Sequence, residues 1–328
     1  MNERKDYILG VDLGGTNIKA AAYRLESYEK VGEKRLPTQV EGGWEHVLGR
    51  VLAALEELLR QTPRERVLCV GMGVPGLLDI EAGVSRFSPN FPQWEDVPVA
   101  AWLGERLGLP VFIDNDVRVN LYGEWLFGAG RGLENLVLLT LGTGLGSGIV
   151  LDGRVLYGAT ASAGEIGHMN MFRQGRPCKC GSSGCLGRYV SALGMVRTLR
   201  EKLEAGAPSV IRAWVGDDWG KITAQMVSDA YDAGDATARA VLEETGELLG
   251  FGLVNVVNLF NPQAIVVGGG MSAAGERLLG PARRVVESHA LAISRAGCEI
   301  VTAQLGDAAG MLGAAVYGAR RMGEGARM

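Results

Sequence analysis

One histidine and three cysteines, His168, Cys178, Cys180 and Cys185, are spaced so that a single loop can bring them together. Three thiolates and one imidazole suit a closed tetrahedral zinc site of the Cys3His kind, and Gly181 and Gly184 let the chain wrap one ion. A closed site has no open position for water, so zinc here would be structural; three reduced surface cysteines are the alternative. The stretch GEIGH at 164–168 puts Glu165 three residues before His168. A histidine that binds metal through one ring nitrogen has its tautomer fixed and its other nitrogen free for a ligand. A surface glutamate and a purely structural histidine are the alternative.

Three glycine-rich stretches and one acidic stretch carry the remaining chemistry. In DLGGTN, Gly14 and Gly15 let backbone amides approach an anion, Thr16 and Asn17 add polar contacts, and Asp12 can organise a metal. A β-hairpin turn would use the same residues, and the stretch has neither the P-loop lysine nor the dinucleotide spacing. In LGTGLGSG at 141–148, alternate glycines weaken a strand unless something approaches the backbone closely, and Thr143 with Gly144 would serve a phosphate; a bulged core hairpin is the alternative. VVGGGMS at 266–272 ends a buried strand in glycines, with Gly269 and Gly270 able to lie against a base or ribose, or simply to turn into a helix. In IDND at 113–116, a carboxylate beside an amide suits a polyol and supplies a general base for a hydroxyl nucleophile. Asp116 could instead cap the helix that follows.

These residues must be positioned by strands and helices in alternation. Periodicity predicts strands at 6–13, 66–76, 111–116, 264–269 and 298–303, and a glycine hairpin over 136–155. Helical spacing predicts helices at 45–61, 97–110, 189–205, 223–232, 236–258, 275–290 and 308–321, and one leading away from IDND. The stretch 161–190 reads as irregular. Strand-then-glycine patterns occur twice, near 8–16 and 137–148, as a duplicated α/β unit would show.

Composition narrows the class. The 328 residues suggest two domains, and 49 glycines are about twice the usual share, as expected of many tight turns and close backbone approaches. A net charge of −4 without a basic stretch argues against nucleic acid as a partner. The longest uncharged run, 248–275, is broken by Asn255, Asn258, Asn261 and Pro262, so no membrane span is expected. With no export segment visible and an odd number of cysteines, we expect a metal site in a reducing cytoplasm, with Cys69 and Cys298 in the core.

In order and content these motifs resemble the ROK family, the bacterial sugar kinases and sugar-responsive repressors that include many glucokinases. The resemblance rests on DLGGTNIKAA at 12–21, GVPG at 73–76, IDND, LGTGLGSGIV at 141–150, GEIGH, CKCGSSGC at 178–185 and VVGGG at 266–270, and covers nearly the whole length. It implies an α/β protein of the actin-like ATPase (ribonuclease H-like) fold, two domains around a central cleft. The expected division is a smaller N-terminal domain, 1–117 plus 308–328, and a larger C-terminal domain, 118–307, carrying the zinc loop.

The implied activity is ATP-dependent phosphorylation of a hexose, most simply the 6-hydroxyl of glucose. Residue by residue, the resemblance makes Asp116 the base and Asn115, Glu165, His168 and the backbone at Gly76 the sugar contacts, with Asn90 a weaker candidate. It assigns Asp12, Gly14, Gly15, Thr16, Asn17 and Lys19 to the phosphates and Mg2+, Thr143 and Gly144 to a second phosphate loop, and Gly269 and Gly270 to the adenosine. His168, Cys178, Cys180 and Cys185 would hold structural Zn2+. Two residues depart from the pattern: Gly187 stands where the family has a glutamate reaching the anomeric side of the sugar, and Arg118 where it has a small or amide residue. The alternatives are a kinase for N-acetylmannosamine, fructose or allose, or a sensor with little or no catalysis. The eleven residues ahead of Asp12 leave no space for a helix-turn-helix, so no DNA-binding role is expected. A homodimer or homotetramer is implied by resemblance alone.

Overall fold

The computed structural model describes residues 5–88 and 91–323 and divides the chain into two compact units. The first contains the residues up to Gly132, Tyr157–Ala163 and those from Gln304 onward; the second contains Leu133–Leu156 and Gly164–Ala303. The division falls after Gly132 and not after residue 117, because helix Asp116–Phe127 packs against the final helix, Ala308–Arg321.

The strands of the first unit are β1 (Tyr7–Leu13), β2 (Asn17–Arg24), β3 (Lys30–Pro37), β4 (Val67–Val74), β5 (Leu77–Asp79), β6 (Val84–Phe87), β7 (Glu95–Val97) and β8 (Val111–Asn115). The main sheet has the order β3-β2-β1-β4-β8, with β1, β4 and β8 parallel and β2 antiparallel to both of its neighbours. β4, VLCVGMGV, is buried along its whole length because both faces of the sheet are covered. On one face the helix Gly43–Leu59 contributes Val47, Leu48, Val51, Ala54, Leu55 and Leu58, a spacing that keeps one helical stripe on the sheet. On the other lies the final helix, with Met311 and Ala315 against Ile8 and Cys69.

That second face explains many of the glycines. A β-carbon added at Gly10 would lie 1.9 Å from the Met311 carbonyl oxygen, and one at Gly71 would lie 1.8 Å from that of Ala314. One at Gly313 would lie 1.7 Å from the Val119 carbonyl oxygen. The final helix therefore rests backbone against backbone on β1, β4 and the helix Asp116–Phe127.

The second unit repeats the plan. β9 (Leu136–Leu141), β10 (Leu145–Leu151), β11 (Arg154–Val155), β12 (Ala264–Gly268) and β13 (Glu299–Thr302) form a sheet of order β11-β10-β9-β12-β13. Again the first strand pairs antiparallel with the second and parallel with the fourth. The duplication suggested by the two strand-then-glycine patterns is thus present as topology. The longest helix, Ala236–Phe260, is capped by Asp235, whose carboxylate accepts from the Ala238 amide at 2.7 Å, and ends at Asn261 in the left-handed region.

Two features were not read from the pattern. β3, KVGEKRLP, is a charge-rich edge strand, and β5, β6 and β7 are too short for an alternation to register. Among the described residues no helix is long and apolar enough to cross a membrane. Cys69 is fully buried, as expected of a core residue, whereas Cys298 is only partly buried at the core's margin.

Gly71→Ala, forced against a backbone oxygen, is expected to cost about 3 kcal/mol or more. Gly49→Ala, mid-helix with open space around the added carbon, is expected to gain roughly 0.5–1 kcal/mol. Urea melts of the two variants check both signs, and equal stabilities would contradict this packing.

Candidate active site and metal centre

In the first unit the three parallel strands β1, β4 and β8 bring Asp12, the Gly73–Gly76 turn and Asn115–Asp116 to their carboxyl ends. Such edges are where ligands bind in open α/β sheets. β8 stops at Asn115, which caps the following helix: its side-chain oxygen accepts from the Val117 amide at 3.0 Å. The cap is therefore Asn115, and Asp116 is the first helical residue, its carboxylate also accepting from Val117 N at 3.0 Å. The Asn115 amide nitrogen donates to the Gly76 carbonyl at 3.3 Å, which ties the two predicted sugar contacts together. Gly76 has φ +103, and a β-carbon there would lie 2.2 Å from the Phe87 carbonyl oxygen, so only glycine fits.

The acids on this edge are in opposite electrostatic states. Burial, with the nearby Asp12 charge adding to it, pushes Asp116 up to about 7. Burial likewise raises Asp12 to about 6, the Lys19 charge opposing the shift. Asp12 can lie close to the final helix because Gly310 faces it: a β-carbon there would fall 2.6 Å from the Asp12 carboxyl carbon. Asp114 is fully buried but compensated, accepting from Arg118 Nε at 2.6 Å, from the Asn115 amide at 2.7 Å and from the Tyr157 hydroxyl at 2.7 Å. Arg118 also donates to the Ala161 carbonyl at 2.8 Å. Its charge therefore goes chiefly to Asp114, and its pull on Asp116 is the smallest of the influences there.

The DLGGTN turn is braced by Thr38, whose hydroxyl donates to the Gly14 carbonyl at 2.6 Å and whose amide donates to the Thr16 carbonyl at 2.8 Å. Gly15, Thr16 and Asn17 are exposed, so the turn is open to a ligand. Lys19 pairs with Asp307 at 2.7 Å, and Arg35 pairs with the other Asp307 oxygen at 2.8 Å. Hydrogen bonds from these two cations hold the Asp307 carboxyl below its ordinary value. Asn90 lies outside the described residues.

In the second unit β9 and β12 are parallel neighbours, so Gly142–Gly144 and Gly269–Gly270 emerge side by side from their carboxyl ends. Thr143, Gly144, Gly269 and Gly270 are exposed, and added β-carbons at Gly142, Gly144 and Gly270 would meet nothing within 4 Å. Gly269 is the structural member of the set, with φ +83 and a β-carbon there falling 2.4 Å from the Leu141 carbonyl oxygen. Glu165 and His168 flank a single turn, His168 N donating to the Glu165 carbonyl at 3.0 Å. Ser147 on β10 anchors that turn, bonding the Gly164 carbonyl and accepting from the Ile166 amide at 3.1 Å. Position 187 adjoins it, since a β-carbon at Gly187 would lie 3.2 Å from the Gly167 carbonyl oxygen.

The ligand atoms of His168, Cys178, Cys180 and Cys185 all lie within 4.8 Å of one another. His168 Nδ1 is 3.6 Å from Cys178 Sγ, and Cys180 Sγ is 3.7 Å from Cys185 Sγ. Tetrahedral bonds of about 2.3 Å to sulfur and 2.0–2.1 Å to nitrogen give edges of roughly 3.8 Å (S to S) and 3.6 Å (S to N), so the four fit one zinc-sized ion. The glycines shape the loop: a β-carbon at Gly184 would lie 1.8 Å from the Phe172 carbonyl oxygen.

Thr38, Asp307, Ser147, Tyr157 and the Asp114–Arg118 pair were not singled out from sequence. Only the last had a signal, an acid and an arginine four residues apart at a helix start.

Comparison with known proteins places these motifs in context. The model of the ROK family matches residues 8–320. A glucokinase of Halalkalibacterium halodurans is 37% identical over 310 residues, covering 94% of this chain and 93% of that protein. A solved ROK family glucokinase from Streptomyces griseus in complex with glucose and AMPPNP superposes with a TM-score of 0.80 at 32% identity, covering 94% of this chain and 98% of that one. A solved ROK family transcriptional regulator gives 0.84 at 29% identity, covering 97% and 79%.

Arg118→Ala strands the buried Asp114 carboxylate and is expected to cost about 3–5 kcal/mol, with partial recovery in the double variant with Asp114→Asn. Chemical denaturation measures this; a loss below about 1 kcal/mol would mean the pair carries little stability.

Proposed function

The chain belongs to the ROK family and is a sugar kinase, and we propose that it moves the γ-phosphoryl group of ATP to the 6-hydroxyl of glucose or a close relative, with Asp116 as general base. The observation carrying this reading is Asp116 itself: a carboxylate at a strand-to-helix junction, held beside a side-chain amide and raised to about 7. A base is most effective when its pKa lies near working pH, because it is then ionised often enough yet basic enough to take a hydroxyl proton. The relative solved with glucose and AMPPNP supports the choice of substrates.

In this reading Asn115 serves a sugar hydroxyl while its remaining bonds fix it to Gly76 and Val117. Glu165 and His168 hold further hydroxyls, His168 presenting Nε2 because Nδ1 faces Cys178. Gly15, Thr16 and Asn17 offer exposed polar groups suited to phosphates, with Gly14 bonded into the turn; within the second unit Thr143 and Gly144 are likewise exposed and suited to phosphate, and Gly269 and Gly270 to adenosine. Lys19 is steered by Asp307 and would act through its charge. Mg2+, when bound with the nucleotide, neutralises phosphate charge, and Asp12, short of countercharge, is the residue suited to hold it. Zn2+ fits His168, Cys178, Cys180 and Cys185, and its work would be to brace the His168 turn. Gly187 supplies no carboxylate beside that turn, so selectivity at the anomeric position would be relaxed. We place the enzyme in the cytoplasm.

Asp116→Asn is expected to lower kcat by about 10²- to 10⁴-fold with sugar binding changed only a few-fold, measured by ADP release and calorimetry. In the native enzyme kcat/KM should fall about tenfold per pH unit below about pH 7, where Asp116 takes up a proton. Because its folded pKa is raised, ionising Asp116 opposes folding: the penalty is absent below about pH 4, grows from 4 to 7 and is complete above. The Asn variant is therefore expected to melt higher than native at pH 8, by roughly 2–6 °C, and equally near pH 4. If no sugar among glucose, mannose, N-acetylmannosamine, fructose and allose stimulates ADP release, the kinase reading fails and a sensor is favoured.

For the metal, one zinc per chain is expected by elemental analysis, and Cys178→Ser should lose it and raise KM for sugar at least several-fold. Full sugar affinity without zinc would dismiss the bracing role.

A further inference from the structure

The first unit contains a cavity of about 940 Å³ that the proposed chemistry does not use. Its walls come from the carboxyl half of the final helix, the helix Asp116–Phe127, the β5–β6 hairpin and the segment after β11. None of Asp12, Gly76, Asn115 or Asp116 lines it. Its size falls within the range of small-molecule sites.

The charges around it are unevenly compensated. Arg86 is bonded by Asp79 at 2.7 Å and Asp96 at 2.9 Å, and Arg321 by both oxygens of Glu81 at 3.0 and 2.9 Å. Arg320 forms no ion pair among the described residues. Its guanidinium lies 5.3 Å from the Tyr122 ring centre and 5.0 Å from that of Trp125, it hydrogen-bonds the Tyr122 side chain, and its buried Nε has no acceptor among the described residues. A planar guanidinium held on aromatic rings, with no carboxylate on it among the described residues, is suited to pair with a phosphate or carboxylate. The rest of the lining offers aromatic faces and hydroxyls, from Tyr122, Tyr157, Tyr317 and the exposed Thr160. Aromatic faces accept the C–H surface of a polyol, and hydroxyls answer its hydroxyls.

The cavity wall also reaches the catalytic strand end. The Tyr157 hydroxyl donates to Asp114 at 2.7 Å, and Asp114 in turn accepts from the amide of Asn115 at 2.7 Å, one residue before Asp116. Ala161, on the same wall, receives the Arg118 hydrogen bond. A ligand that engages the Tyr157 hydroxyl competes with Asp114 for it and loosens the support of that strand end.

We propose that this cavity is a second ligand site for a phosphorylated polyol of the sugar-phosphate class, held at Arg320, and that its occupancy slows phosphoryl transfer through Tyr157 and Asp114. The reaction's own product has this chemistry, but the site does not depend on which sugar the enzyme phosphorylates.

The test titrates glucose 6-phosphate into the full-length protein with glucose and a non-hydrolysable ATP analogue at saturation, so that the substrate positions are filled. One further site is expected in the native protein. Arg320→Gln should weaken it at least tenfold, and Thr160→Val, at an exposed position, several-fold. Without the probe, Arg320→Gln should keep kcat/KM within about twofold. In an ADP-coupled assay at saturating substrates the probe should slow the native enzyme, leave Arg320→Gln unaffected, and bind Tyr157→Phe within about threefold while losing its effect on rate. Equal affinity in the native and Arg320→Gln proteins, or inhibition that competes with glucose and persists in that variant, would overturn the proposal. Inorganic phosphate binding as tightly as glucose 6-phosphate would also overturn it, since a bare oxyanion would then suffice.

Discussion

The first unit depends on a backbone-to-backbone contact. The final helix rests on β1 and β4 through Gly10 and Gly71, and on the helix Asp116–Phe127 through Gly313 and Gly123. Glycine inside strands and helices costs about 0.5–1 kcal/mol each relative to alanine, so this arrangement must be offset by what the close approach buries. Residues 309–319 of the final helix are all buried, which is unusual for a terminal helix and supplies that offset. Position is the second return. The same helix presents Gly310 to Asp12, and its partner helix begins at Asp116, so one rigid packing sets the location of both raised acids.

Three aspartates within this unit then receive different roles from their surroundings. Asp114 and Asp116 are two residues apart, yet one is compensated by an arginine, a tyrosine and a backbone amide while the other is left to desolvation. The change from strand to helix at Asn115 causes the separation, turning Asp114 inward to the ion pair and leaving Asp116 at the edge. Arg118 is thus accounted for by Asp114 and is the smallest of the influences on Asp116.

Much of this was legible in the chain, and the remainder was not for definable reasons. The clustering of His168, Cys178, Cys180 and Cys185 could be read from residue type and spacing, because thiols and an imidazole so close in sequence readily converge. The glycine turns could be located, and the parallel register of β9 and β12 brings two of them side by side. The orientation of Asp114 could not be read, since it depends on where β8 stops, and boundaries are the weakest part of a sequence reading. Tyr157 could not be found either: it reaches Asp114 across 43 positions of sequence, and no local pattern encodes such a contact. Ser147 lay inside a motif already noted for its glycines, and its role as anchor of the Glu165–His168 turn became visible only with the fold. The charged β3 and the short β5–β7 sheet escaped because periodicity needs apolar alternation over several residues.

The second unit solves the same positioning problem by another means. Its Glu165–His168 turn has no strand of its own: Ile166 is buried in the core, while the side chains of Glu165 and His168 are exposed. The Ile166 anchor fixes the middle of the turn but not its two ends, whose free sampling costs entropy to suppress. Here two restraints act on it from either side: Ser147 pins its start to β10, and the thiol cluster engages its end at His168. The glycine at 187 packs against the same turn, where a side chain would press on the Gly167 carbonyl oxygen. A carboxylate at that position would therefore have to displace the turn slightly to enter. With glycine there the turn keeps its position, and what is given up is a direct polar contact to a ligand.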